Sequence, residues 1–333
     1  MSSTNTSITE AMIIRQNTIV FIRVWSYLMI SFGTIGHAGN IYVFTRSTFR
    51  SNPCSWYFLA ATISGISVVT ITTPLRLLSI GYSINAFTSS STACRILTLI
   101  VMWPSSQYGW FIALTCVDRF LCSSSSTKLR AFSSLRTASY VIPFTILIVI
   151  LTFAHIPVFY YINPKQLCVA SPGIYLRFIG IWNLMTYSVG PPIVMLYFGF
   201  RTILNIRQSI RRTGANHNSI SLRNQQRQKR TDRQLIQMML GQCTIFILTA
   251  SLPSIQYIYT SVRANIIIDD LQSAKDSAFT IISGFVSFMV PCLGFYFFTI
   301  SSKLFRSELV KLFSQKQSNR QLFTTTNILS RNI

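Results

Sequence analysis

Seven stretches of this chain, each of 22 residues or more, contain no Asp, Glu, Lys or Arg: 24–45, 51–75, 96–117, 137–164, 178–200, 234–262 and 277–302. A helix needs about 20 mostly apolar residues to cross a hydrocarbon core roughly 30 Å thick. The runs therefore predict an all-α membrane protein, a seven-transmembrane helix bundle over residues 19–302. Composition supports this. Hydrophobic residues make up 50% of the 333 and charged ones 11%, the latter under half of the roughly 25% usual in soluble domains. A net charge of +22 would by itself point to nucleic acid or another polyanion. So few charges overall exclude a soluble nucleic-acid module. The stretch 77–94 is rich in Ser, Thr and Gly and reads as a loop with helix ends.

An odd number of spans puts the termini on opposite faces. The segments after the first, third, fifth and seventh runs hold twenty-one Lys and Arg, against eight on the other side. The richer face is expected to be cytoplasmic, with the N-terminus outside a plasma membrane. Residues 1–18 are polar and read as an extracellular N-terminus without a cleavable signal. Asn5-Thr6-Ser7 forms a glycosylation acceptor on that face. Residues 203–232 read as a solvated cytoplasmic loop. In 303–313, Leu304, Phe305, Leu309, Leu312 and Phe313 share one helical face. This predicts an amphipathic helix on the inner leaflet, followed by a cytoplasmic tail at 314–333. The basic inner surface suits anionic lipid.

Of seven Cys, only Cys94 and Cys168 fall on the outer side, where a disulfide would persist. Such a bond would contribute about 4 kcal/mol in the chain-entropy model. The other five read as buried small hydrophobes. The third run ends in Asp118-Arg119-Phe120, and an ionisable pair at a membrane helix end is costly enough to imply a role. Cys94 and Arg119 are 25 residues apart, about 37 Å of helix at 1.5 Å per residue. The two features thus sit at opposite membrane surfaces.

With these residues in place the chain resembles a rhodopsin-like (class A) G-protein-coupled receptor. Cys94, Cys168 and Asp118-Arg119-Phe120 match the family's outer disulfide and its Asp-Arg-Tyr motif, with Phe for Tyr. Gly39-Asn40-Ile41-Tyr42-Val43 resembles its Gly-Asn-x-x-Val, and Pro191 or Pro192 and Pro253 its kinking prolines. The resemblance covers about residues 19–313. It implies that Asp118, Arg119, Phe120, Asn40 and Pro253 belong to a switch coupled to a heterotrimeric G protein. It also implies that Arg119→Ala abolishes coupling while leaving surface expression intact.

The pattern also breaks. The family's helix-two Asp falls on Ile63, or on Ser64 after a slip of one. Helix six reads Ala250-Ser251-Leu252-Pro253 and lacks the family's Trp. The Asn-Pro-x-x-Tyr of helix seven is replaced by Gly294-Phe295-Tyr296-Phe297-Phe298, or by Val290-Pro291-Cys292-Leu293-Gly294 if aligned on the Pro. A retinal Schiff base needs a helix-seven Lys, and none lies between Lys275 and Lys303. Val101-Met102-Trp103 stands where an amine receptor resembling this family would carry an Asp.

The outer half offers Arg76, Arg95, Lys165 and Arg177 instead. The expected pocket comprises Arg76, Val101, Met102, Ser105, Gln256 and Tyr257. Its ligand would be anionic or C-terminally polar, a neuropeptide, with Asp269, Asp270 and Asp276 facing a cationic peptide end. No cofactor, metal or catalytic constellation is visible in the sequence. Two rivals stay open: a ligand-binding or decoy receptor with little coupling, and a transporter or channel.

Overall fold

The computed structural model describes residues 2–164, 166–213, 236–237, 240–253, 255–256, 259, 269–303 and 305–311. Five helices are long and apolar enough to cross a membrane. Four of them are α1 (Ser7–Phe44, within a helix starting at Ser2), α2 (Pro53–Gly81), α4 (Leu135–Phe159) and α5 (Ile174–Gln208). The fifth, near the end of the described chain, is Asp270–Ile300. The charge-free runs 96–117 and 234–262 fall on two further helices, α3 (Ser91–Ser123) and α6 (Leu240–Pro253). α3 is long but carries four Ser, three Thr and one Gln, and α6 is short. Asp270–Ile300 is then α7. The chain has the make-up of an all-α, multi-pass membrane protein. Among the described residues its one departure is a hairpin, β1 (Tyr160–Ile162) antiparallel to β2 (Cys168–Ala170), with Ile162 opposite Cys168.

Local chemistry sets the helix ends. Asn52 caps α2 by accepting from Cys54 N at 3.1 Å, with Pro53 in the first turn where its missing N–H costs nothing. Ser90 caps α3 and Ser134 caps α4 in the same way, and Asp269 caps α7. Two widened π turns, Val68–Thr72 and Leu77–Gly81, flank Pro74 in α2, and a third, Leu184–Val189, precedes Pro191-Pro192 in α5. An interior Pro removes a hydrogen bond and crowds the preceding turn, which a π turn relieves.

The outer wall of α4 shows what solvent this fold requires. Tyr140, Phe144, Leu147 and Leu151 recur with helical spacing, and each is more than half exposed. An apolar stripe facing outward is the reverse of a soluble amphipathic helix and matches lipid. Inside, α3 is the central rod and packs against α2 and α5, while α1 packs against α7 and α2. Glycines allow α1 to approach closely: a Cβ on Gly36 would meet Phe295 Cβ at 3.0 Å, and one on Gly39 would enter the Phe295 ring.

Within residues 1–18, read as an extracellular N-terminus, α1 runs back to Ser2. Ala11, Thr18 and Ile22 are buried on one face, and Arg15 pairs with Asp270 at 2.6 Å. In the helix at 303 and 305–311, Phe305 and Leu309 pack against the bundle. Phe305 packs on Phe44, Phe49, Phe295 and Phe298. Such aromatic pairs contribute about 0.5–1.5 kcal/mol each beyond burial. Leu304, Leu312, Phe313 and the tail 314–333 lie outside the described residues.

Candidate functional site

Helix α3 carries three features in order along its length: the disulfide, a cavity and a buried ion pair. At its start, Cys94 is bonded to Cys168, with Cα atoms 5.5 Å apart. Arg95 Nε donates to the Tyr160 carbonyl at 3.2 Å, so helix and hairpin are joined twice. Asn5 lies in the first turns of the extended α1.

The cavity follows. It measures about 170 Å³, and Arg76, Val101, Met102, Ser105 and Gln256 all line it. Five of the six pocket residues expected from the sequence are thus brought together. Tyr257, the sixth, lies outside the described residues. Pro253, expected as a hinge, also lines this space. Arg76 sits in the four-residue α turn between the two π turns of α2, its guanidinium carbon 5.3 Å from the Phe288 ring centroid. Ser105 Oγ is buried with no hydrogen-bond partner among the described residues, and Gln256 Nε2 donates to Thr280 at 2.8 Å. The other expected cations go elsewhere. Arg95 is committed to the hairpin, Arg177 is exposed, and Lys165 lies outside the described residues.

The acids expected as peptide contacts, Asp269, Asp270 and Asp276, are engaged within the chain. Asp269 Oδ1 accepts from Gln272 N at 3.1 Å, and Asp270 pairs with Arg15. Asp276 Oδ1 accepts from Gln272 at 2.7 Å and Tyr259 at 3.0 Å. Helix ends need capping and extended α1 supplies a cation, so these carboxylates are used locally.

Sequence reading also missed part of the wall. Thr280, Ser283, Gly284 and Ser287 line the cavity from α7. Their spacing of three, one and three is a small-residue stripe at helical period, legible in principle. Tyr187 and Ser188 line it from α5. They belong to or border the π turn, which breaks the 3.6 period, so no spacing argument finds them.

Deeper in the bundle Asn40 is buried, and its Oδ1 has no partner among the described residues. It lines a cavity of about 10 Å³ with His37, Thr62 and Tyr108, which is the size of a single water. Of the two positions assigned to the family's helix-two Asp, Ile63 is 58% exposed and Ser64 is buried, its hydroxyl donating to the Ala60 carbonyl at 3.2 Å; Thr62 lines the small cavity. Tyr108 also accepts from Gln242 of α6, and its hydroxyl donates to the Val290 carbonyl at 3.4 Å.

The end of α3 opposite the disulfide holds the ion pair. Arg119 Nη2 donates to Asp118 Oδ2 at 2.7 Å, with the side chains only 2% and 5% exposed. Ser133 Oγ donates to Asp118 Oδ1 at 2.8 Å, and Asn52 Oδ1 accepts from Arg119 Nη2 at 2.7 Å. Phe120 packs on Phe198 of α5 at 5.3 Å. Breaking a buried pair from one side costs about 3–5 kcal/mol. The burial of this pair sets a folding cost beside any loss of coupling in Arg119→Ala. Asn52 is the partner that sequence reading missed, because its position 67 residues upstream carries no signal of proximity.

No protein-family model matches the chain, and no curated protein matches it at significant similarity.

Proposed function

We propose that this protein is a seven-helix receptor of the rhodopsin-like type, which couples an extracellular ligand to a heterotrimeric G protein. The observation carrying the reading is the order of features along α3. A disulfide pins an outer hairpin, a polar cavity lies two to three turns further in, and a buried Asp-Arg pair closes the opposite end. One helix thereby links a ligand-accessible space to an ionic contact on the other side.

The cavity's chemistry favours an anionic or C-terminally polar ligand. Arg76 supplies the charge, and the Ser105 hydroxyl is a buried group that a ligand oxygen would satisfy. A space of about 170 Å³ admits the end of a neuropeptide, with the rest of the peptide outside. Ligand would shift a pre-existing equilibrium between two arrangements of the inner helix ends. In one of them Arg119 leaves Asp118 and meets the G protein, beside basic segments that favour anionic lipid. The outer hairpin side is extracellular in this reading, at the plasma membrane.

The test is a G-protein activation screen of the expressed receptor against peptide pools, with Arg76→Ala in parallel. Activation by one pool that weakens in the variant supports the reading. Saturable binding without activation would make the protein a ligand-binding or decoy receptor. Ligand-dependent flux in liposomes would make it a transporter.

A further inference from the structure

A second cleft, remote from the α3 cavity, opens on the side of the bundle where α1 ends and α2 begins. It measures about 300 Å³ and is lined by Phe44, Thr45, Arg50, Ser55, Trp56 and Leu59. That volume is at the lower end of the range for small-molecule sites. Phe44 is buried and forms the floor, while Arg50 and Trp56 are exposed at the rim.

Three features are unusual for a surface groove. Ser55 is 1% exposed, and its hydroxyl has no hydrogen-bond partner among the described residues. Buried hydroxyls are nearly always satisfied, so this one calls for an occupant that can bond to it. The Arg50 guanidinium makes no hydrogen bond or ion pair among the described residues, and the cleft wall holds no acid. Its neighbour Arg46 is by contrast held against the Tyr42 ring at 4.0 Å. Trp56 is fixed by its Nε1 donating to the Arg50 carbonyl at 3.0 Å, the amphipathic posture of indole at a membrane interface.

Among the described residues, an unpaired guanidinium, an unsatisfied buried hydroxyl and an apolar wall thus converge where α1 ends and α2 begins. We propose that this cleft holds one anionic phospholipid, its phosphate against Arg50 and Ser55 and its acyl chain along Trp56, Leu59 and Phe44. The charge on Arg50 selects an anionic headgroup. The proposal is independent of any signalling role and of which face is cytoplasmic.

The chain has five Trp, and Trp56 is the one in the cleft, so fluorescence reads the site directly. The purified full-length protein in detergent micelles is titrated with phosphatidylserine or phosphatidylcholine, each brominated on its acyl chain. Brominated phosphatidylserine is expected to quench at lower mole fraction, and Trp56→Phe to remove that difference. Arg50→Gln should cut the ratio of apparent affinities about fivefold, the weight of one basic residue at an anionic surface. Arg50→Lys should keep most of the ratio, and Ser55→Ala should weaken both lipids. Equal thermal melting of all variants in phosphatidylcholine establishes that each is folded. Equal quenching by both lipids would overturn the proposal, since the contact would then be blind to headgroup. So would a preference that survives Trp56→Phe or Arg50→Gln, or one abolished by equimolar inorganic phosphate.

Discussion

Arg119 Nη2 bonds at once to its chain neighbour Asp118 and to Asn52, each at 2.7 Å. The same Asn52 oxygen also caps α2, so the start of one helix and the end of another share a single acceptor. Asn52→Ala should therefore do two things. It loses a helix cap, about 1 kcal/mol, and it frees Arg119 from the α2 end. A lower Tm in detergent together with raised ligand-independent G-protein activation is expected. A lower Tm with unchanged basal activity would limit Asn52 to capping.

Arg119→Ala leaves Asp118 buried with Ser133 as its remaining described partner. Surface expression should fall, in keeping with the about 3–5 kcal/mol cost of breaking a buried pair. The double variant Asp118→Asn/Arg119→Gln removes both charges and should recover expression but not coupling. Cell-surface staining read beside G-protein activation separates the two effects. Full coupling in the double variant would exclude the pair from the switch.

Cys94→Ser should destabilise the protein by about 4 kcal/mol in the chain-entropy model, since the bond closes a separation of 74 residues. Cys168→Ser and the double variant should match it, because either change breaks the same bond. Thermal unfolding with and without reductant checks this. Only the parent should respond to reduction.

Gly284 faces the α3 cavity, where an added Cβ would meet only Arg76 Nη1, at 3.9 Å. Gly284→Ala should fit without strain and narrow the space. Once a ligand is identified, its affinity should drop about tenfold or more, the equivalent of at least 1.4 kcal/mol, at unchanged Tm. Unchanged affinity would move the binding site elsewhere.

Gly39 makes the opposite case. A Cβ there enters the Phe295 ring, so Gly39→Ala should cost about 1–3 kcal/mol by overpacking. Adding Phe295→Leu should restore part of the loss. Melting curves of the two variants give the coupling directly.

The division between sequence and tertiary structure follows the range of the forces involved. Apolar runs are local and must match a bilayer, so membrane helices are legible from the charge pattern alone, and the outer Cys pair follows from topology. The pocket residues on α2, α3 and α6 were legible because those helices keep a regular period there or carry a residue too costly to leave in lipid, as Arg76 is. What the sequence left open depends on rotation and on contacts between distant segments. The rotation of α2 put Thr62 beside Asn40 and left Ile63 exposed. A π turn brought Tyr187 and Ser188 into the cavity, and Asn52 reached Arg119 across 67 residues. Phe305 was drawn into a ring of aromatics. In each instance burial against a partner outweighed the local pattern, and only the folded chain supplies that partner.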